Sequence, residues 1–99
     1  MSKIPNISPG EILNEEFLIP MGLSNEKLSE KLNISLIYIE DVINNNQKIT
    51  TEFALKLSKF FGNSTNFWLG IQNDYDIENE SFKMKDELRK ITKFEFEVI

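Results

Sequence analysis

Residues 23–43 read LSNEKLSEKLNISLIYIEDVI and contain two short amphipathic patterns separated by the turn residues Asn33 and Ile34. Ser24 and Ser35 stand before the two patterns, and serine is a preferred N-cap because its hydroxyl accepts a hydrogen bond from a free backbone N–H. The stretch therefore predicts two short helices joined by a tight turn. Apolar residues recur at helical spacing after each serine, as Leu28 and Leu32 in the first pattern and as Ile39, Val42 and Ile43 in the second.

Two helices of this length and spacing are typical of a helix-turn-helix unit. In such a unit the first helix crosses the DNA backbone, and the second, the recognition helix, places its N-terminal residues in the major groove. Ser24 and Ser35 would then set exposed helix N-termini beside phosphates. Because any helical bundle with short turns can show the same pattern, a bundle that binds no DNA is the alternative from these residues alone.

The residues on both sides predict three further helices, so the expected fold class is all-α with five helices. Phe67, Trp68 and Leu69 are expected in the core or in a dimer interface, because aromatic residues at helical spacing normally pack. Capping and breaking residues mark the predicted helix limits: Pro20 and Gly22 close the first helix after residues 11–19, Thr50 or Thr51 caps the fourth, Gly62 stops it, and Ser64 starts the fifth.

The last twenty residues differ in composition from the rest of the chain. We expect an N-terminal arm in residues 1–8, a helix-turn-helix domain in residues 9–79 and a C-terminal extension in residues 80–99. Residues 81–92 are predicted as a short sixth helix, whereas residues 94–98 alternate with the period of a strand. Since a lone strand is not stable, we hypothesise that residues 93–99 pair with a second subunit or with a partner's sheet edge.

Composition narrows the function to binding. A chain of 99 residues forms one domain, and it contains neither cysteine nor histidine, so thiolate chemistry, the commonest general base and most metal sites are excluded. We expect no enzyme activity, no metal and no cofactor. No apolar run is long enough to cross a membrane and no leader is apparent, which predicts a cytoplasmic protein. The net charge of −5 favours a basic protein partner in addition to DNA.

Several motifs together resemble the HigA family of addiction-module antitoxins within the Xre-type, lambda-repressor-like helix-turn-helix superfamily. The resemblance runs without gaps over residues 9–78, and the segment with Phe67, Trp68 and Tyr75 is its most specific part. It implies a five-helix domain that forms a homodimer, neutralises a small basic mRNA-cleaving toxin and represses its own operon by binding an inverted repeat. The motifs are Pro9-Gly10-Glu11-Ile12-Leu13, Gly22-Leu23-Ser24, Asn33-Ile34-Ser35, Ile49-Thr50, Ala54-Leu55-x-Leu57, Phe60-Phe61-Gly62, Phe67-Trp68-Leu69 and Gln72-x-x-Tyr75-Asp76.

The predicted recognition helix departs from the family pattern where DNA would be read. Family members commonly carry arginine, serine or threonine after the capping serine, and here no basic residue lies between Lys31 and Lys48. A bidentate arginine–guanine contact is therefore excluded, while Leu36 and Ile37 can meet thymine methyl groups. We expect weak, A·T-leaning DNA binding or its loss. The predicted DNA-contacting residues are Ser24, Asn25, Lys27, Ser35, Leu36, Ile37, Tyr38, Asp41, Asn46 and Lys48.

Three functional hypotheses follow from the sequence. The first is an antitoxin that binds a cognate toxin protein and operator DNA. The second is a stand-alone DNA-binding repressor, and the third is a protein-interaction module that keeps the fold but no longer reads DNA. An adjacent gene for a small basic protein distinguishes the first hypothesis from the second.

Overall fold

The computed structural model describes residues 6–96, and in that range the regular elements are all helical, as predicted. The first helix, α1, covers residues 9–21 and is followed by the two helices of the helix-turn-helix unit. A long helix, α5, and a short sixth helix end the described fold. The bounds after α1 are α2 Asn25–Leu32, α3 Leu36–Ile43, α4 Thr51–Phe61, α5 Thr65–Lys83 and α6 Lys85–Arg89.

Side-chain caps start the helices where the sequence predicts them. The Ser24 hydroxyl accepts from the Lys27 N–H at 3.0 Å, and the Ser64 hydroxyl accepts from the Phe67 N–H at 2.9 Å. Of the two candidates for α4, the structure selects Thr50, whose hydroxyl accepts from the Phe53 N–H at 3.2 Å. Gly22 and Gly62 follow α1 and α4 with φ of 64° and 79°, the left-handed conformation in which glycine has no Cβ penalty.

The predicted start of α1 is wrong, and of the two residues predicted to close it, Gly22 does so and Pro20 does not. The helix starts at Pro9, because the Ser8 hydroxyl caps it by accepting from the Glu11 N–H, and proline is well suited to the first helical position. Pro20 lies inside the helix instead of closing it. The α-helical turn Pro9–Ile12 is followed by a π-helical segment, Leu13–Leu18, and then by Ile19–Met21. The wider π turns lie directly before Pro20, which lacks an N–H to donate.

One hydrophobic core lies between α1 and the next four helices. Trp68 is fully buried, which confirms the expectation for that residue, whereas Phe67 is 40% exposed. The ring centroid of Phe17 lies 5.0 Å from that of Phe61 and 4.8 Å from that of Trp68, so an aromatic cluster joins α1, α4 and α5. The buried apolar residues are Leu13, Leu18, Leu28, Leu32, Ile39, Val42, Ile49, Phe53, Ala54, Leu57 and Trp68.

The C-terminal extension is helical at its start and irregular afterwards. Helix α5 runs through the predicted boundary at residue 80 to Lys83, and α6, whose residues are all exposed, follows one residue later, which confirms a short sixth helix. Residues 91–96 form no strand in this chain, and residues 97–99 of the predicted strand lie outside the described range. Phe94 and Phe96 are exposed and contact each other. No helix within residues 6–96 is long and apolar enough to cross a membrane.

Candidate nucleic-acid interface

The turn between α2 and α3 is held by the backbone conformation of one residue and by two side chains. Asn33 adopts the left-handed conformation with φ of 52°, which asparagine tolerates better than most residues. The Ser29 hydroxyl donates to the Ile34 carbonyl at 2.6 Å, and the Lys56 ammonium of α4 donates to the Asn33 carbonyl at 3.0 Å. These contacts fix the angle between the two helices of the helix-turn-helix unit.

The N-terminal end of α3 is presented to solvent. Ser35 is exposed and caps the helix by accepting from the Tyr38 N–H at 3.2 Å, and Ile37 is 70% exposed. Leu36 beside them is half-buried. An exposed capped N-terminus followed by an exposed isoleucine can offer backbone N–H groups to a phosphate and a methyl surface to a thymine.

The start of α2 carries three further residues that are predicted to contact DNA. Ser24 and Lys27 are exposed, and Asn25 is half-buried. Lys27 forms no ion pair within residues 6–96, so its charge is available to an anionic partner. The first turns of α2 and α3 are therefore the two exposed helix starts of the unit.

Tyr38 has a structural role in addition to the DNA contact that the sequence suggests. Its hydroxyl donates to the Lys48 carbonyl at 2.6 Å and accepts from the Thr50 N–H at 3.1 Å, and its ring packs edge-on against Phe53. The hydroxyl proton is therefore already used in the hydrogen bond to the Lys48 carbonyl. Tyr38 positions the loop between α3 and α4, which we call the α3–α4 loop and define as residues 44–50.

The other side of the α3–α4 loop is attached to α5. The Ile49 N–H donates to Gln72 Oε1 at 2.9 Å, and Gln72 Nε2 donates to Asp76 Oδ1 at 3.0 Å. The second carboxylate oxygen of Asp76 lies 3.0 Å from the Lys48 ammonium, and Asn45 Nδ2 donates to the Tyr75 hydroxyl at 2.7 Å. This network gives a structural reason for the Gln72-x-x-Tyr75-Asp76 motif. In the sequence, the feature that indicates this contact is a glutamine at a helix position among apolar residues.

Charge in this region is mixed. Lys48 is paired with Asp76, while Glu40 is exposed and Asp41 is half-buried on α3. The Asp41 carbonyl accepts from the N–H groups of Asn46 and Gln47, which turns the chain after α3 and leaves the Asn46 side chain exposed. The surface therefore combines few cations with many hydrogen-bonding groups.

Comparison with known proteins gives consistent matches. A helix-turn-helix family model matches residues 15–68. Virulence-associated protein I of Dichelobacter nodosus is 40% identical over 77 residues, which cover 78% of this chain and 71% of that protein. Antitoxin HigA-1 of Vibrio cholerae is 32% identical over 83 residues, which cover 84% of this chain and 78% of that protein. The structure of Pseudomonas aeruginosa antitoxin HigA with the higBA promoter matches with a TM-score of 0.87 and 26% identity, over 92% of this chain and 100% of that one.

Proposed function

Since this chain belongs to the helix-turn-helix family of HigA-type antitoxins, we propose that it neutralises a cognate toxin protein and represses its own operon by binding operator DNA as a homodimer. The observation that supports the DNA-binding half is the exposed N-terminal end of α3, where Ser35 and Ile37 face solvent beside the exposed start of α2. Repression of an operon requires the compartment that holds the DNA, so the proposed location is the cytoplasm. Without cysteine or histidine, binding is the proposed activity and catalysis is not.

The proposed DNA interface divides its residues between backbone and base contacts. Phosphates are contacted by the first turns of α2 and α3 and by the lysines, and base edges are contacted by the exposed face of α3 and by Asn46. Tyr38 positions the α3–α4 loop, which carries Asn46 and Lys48. The phosphate-contacting residues are Ser24, Asn25, Lys27, Ser35 and Lys48, and the base-contacting residues are Leu36, Ile37, Asp41 and Asn46.

The proposed readout favours A·T pairs and is weak. Ile37 offers methyl groups to thymine, and α3 has no arginine or lysine with which to contact guanine. Fluorescence anisotropy with a duplex from the DNA upstream of the gene, at 50–200 mM salt, tests this. Ile37→Ala is expected to weaken binding by about fivefold or more, whereas Ile19→Ala, the same change at a 61% exposed position on α1, leaves it unaltered. Absence of binding to the upstream DNA at every salt concentration overturns the DNA half of the proposal.

The toxin half is tested by co-expression. The product of the adjacent gene is produced together with the tagged chain, purified and analysed by size-exclusion chromatography with and without the upstream DNA. Co-elution of a small basic protein supports an antitoxin. Binding of the DNA without any retained partner identifies a stand-alone repressor instead, and retention of a partner without DNA binding identifies a protein-interaction module.

A further inference from the structure

A groove with an apolar floor and a basic rim lies between the end of α2 and the outer face of α4. Its volume is about 450 Å³. Leu55 and Phe60 are 54% and 39% exposed there, and Leu32 closes the bottom. The residues that line it are Lys31, Leu32, Leu55, Lys56, Lys59 and Phe60.

The rim concentrates positive charge in a chain whose net charge is −5. Lys56 lies 3.3 Å from Glu52 and also donates to the Asn33 carbonyl, so its ammonium is engaged. Lys31 and Lys59 form no ion pair with any residue in the range 6–96. The groove therefore fits an apolar segment that carries its own carboxylates, and it does not fit a basic partner.

Residues 94–97 of this chain have that chemistry. They read Phe-Glu-Phe-Glu, so in an extended conformation the aromatic rings lie on one side and the carboxylates on the other. Phe94 and Phe96 are 75% and 84% exposed, and they contact each other and no other ring within the described residues. Two neighbouring exposed aromatic rings are a surface that binding would remove from water.

We propose that residues 94–97 of one copy of this chain dock into the groove of a second copy, with Phe94 and Phe96 against Leu55 and Phe60, and with the glutamates beside Lys31 and Lys59. A second copy is the occupant because this chain's own residues 94–96 do not enter its groove. Phe94 and Phe96 stay largely exposed, and within residues 6–96 no residue after Phe60 lines the groove.

Charge reversal tests whether residues 94–97 of one copy contact the groove of another copy. A groove variant carries Lys31→Glu and Lys59→Glu, and a tail variant carries Glu95→Lys and Glu97→Lys. Sedimentation equilibrium without DNA or any toxin is expected to show that each variant alone dimerises at least tenfold more weakly than the unaltered chain. When the two variants are mixed, a hybrid dimer has two complementary contacts, so association is expected to return to the original strength.

Two control variants and a check of folding accompany this test. Lys31→Arg with Lys59→Arg keeps the charges and must dimerise normally, and Lys83→Glu with Lys85→Glu makes the same change of net charge outside the groove and must also dimerise normally. Unchanged dimerisation of the groove and tail variants overturns the proposal. The proposal is also overturned if dimerisation recovers only in a chain that carries all four reversals and does not recover in the mixture, because the contact would then lie within one copy. Circular dichroism spectra that match the unaltered chain show that each variant is folded.

Discussion

Gly10 lies in the first turn of α1, where this helix crosses the C-terminal end of α3. A Cβ atom at this position would overlap the Val42 carbonyl oxygen and approach Ile43 Cα to 2.8 Å. Both are backbone atoms, which cannot turn aside as a flexible side chain can. We predict that Gly10→Ala lowers the free energy of unfolding by about 1–3 kcal/mol, the usual cost of overpacking. Urea denaturation followed by circular dichroism measures the change.

Gly70 provides the matched control for this prediction. It lies inside α5, and a Cβ atom added there would meet no atom within 4 Å. Gly70→Ala should therefore raise the free energy of unfolding by about 0.5–1 kcal/mol, because alanine is a better helix former than glycine. Equal losses from the two alanine variants would show that α1 and α3 are not in close backbone contact.

Gln72 is 92% buried, and it satisfies the backbone of the α3–α4 loop. Gln72→Leu keeps nearly the same volume but leaves the buried Ile49 N–H without an acceptor. We predict a loss of about 1–3 kcal/mol in the free energy of unfolding, the cost of a buried donor without a partner. Asp76→Asn is the control, because the asparagine Oδ1 can still accept from Gln72 while the ion pair with the exposed Lys48 is lost, which should cost at most about 1 kcal/mol. A Gln72→Leu variant as stable as the Asp76→Asn variant would contradict this assignment.

The α3–α4 loop is held between two elements, α3 on one side and α5 on the other. Tyr38→Phe removes the hydrogen bonds of the hydroxyl group to Lys48 and Thr50 but keeps the ring contact with Phe53. We predict a loss of about 1 kcal/mol in stability and, under the proposed function, weaker binding of the upstream DNA, because Asn46 and Lys48 are carried by this loop. Thermal unfolding and anisotropy measure the two effects. Full affinity in the Phe variant would show that the loop does not position DNA contacts.

The starts of α2, α3 and α5 could be predicted from the sequence because a cap depends only on neighbouring residues. Ser24, Ser35 and Ser64 each bond to an N–H three residues later, and the apolar spacing that follows is equally local. The interior position of Pro20 could not be predicted, because it requires π turns that the packing of α1 stabilises. The hydrogen-bond partners of the Tyr38 hydroxyl lie ten or more residues away, so local sequence patterns could not predict its attachment to the α3–α4 loop.

For the whole molecule, a net charge of −5 opposes approach to DNA. The repulsion can depend on the total charge or on the position of individual carboxylates relative to the DNA. Interactions between charges further apart than about 8–10 Å are largely screened at physiological salt, so a carboxylate on α3 should matter much more than one elsewhere. Glu40 is exposed on α3, and Glu78 is exposed on α5.

Glu40→Gln and Glu78→Gln change the net charge equally but at different distances from the proposed DNA. We predict that Glu40→Gln strengthens binding of the upstream DNA by about two- to fivefold at 150 mM salt, because one repulsion at the phosphate backbone is removed, and that Glu78→Gln has little effect. Anisotropy titrations on both variants measure this. An equal gain from the two variants would assign the repulsion to the total charge of the molecule, and the exposed face of α3 would then no longer be the surface nearest to the phosphates.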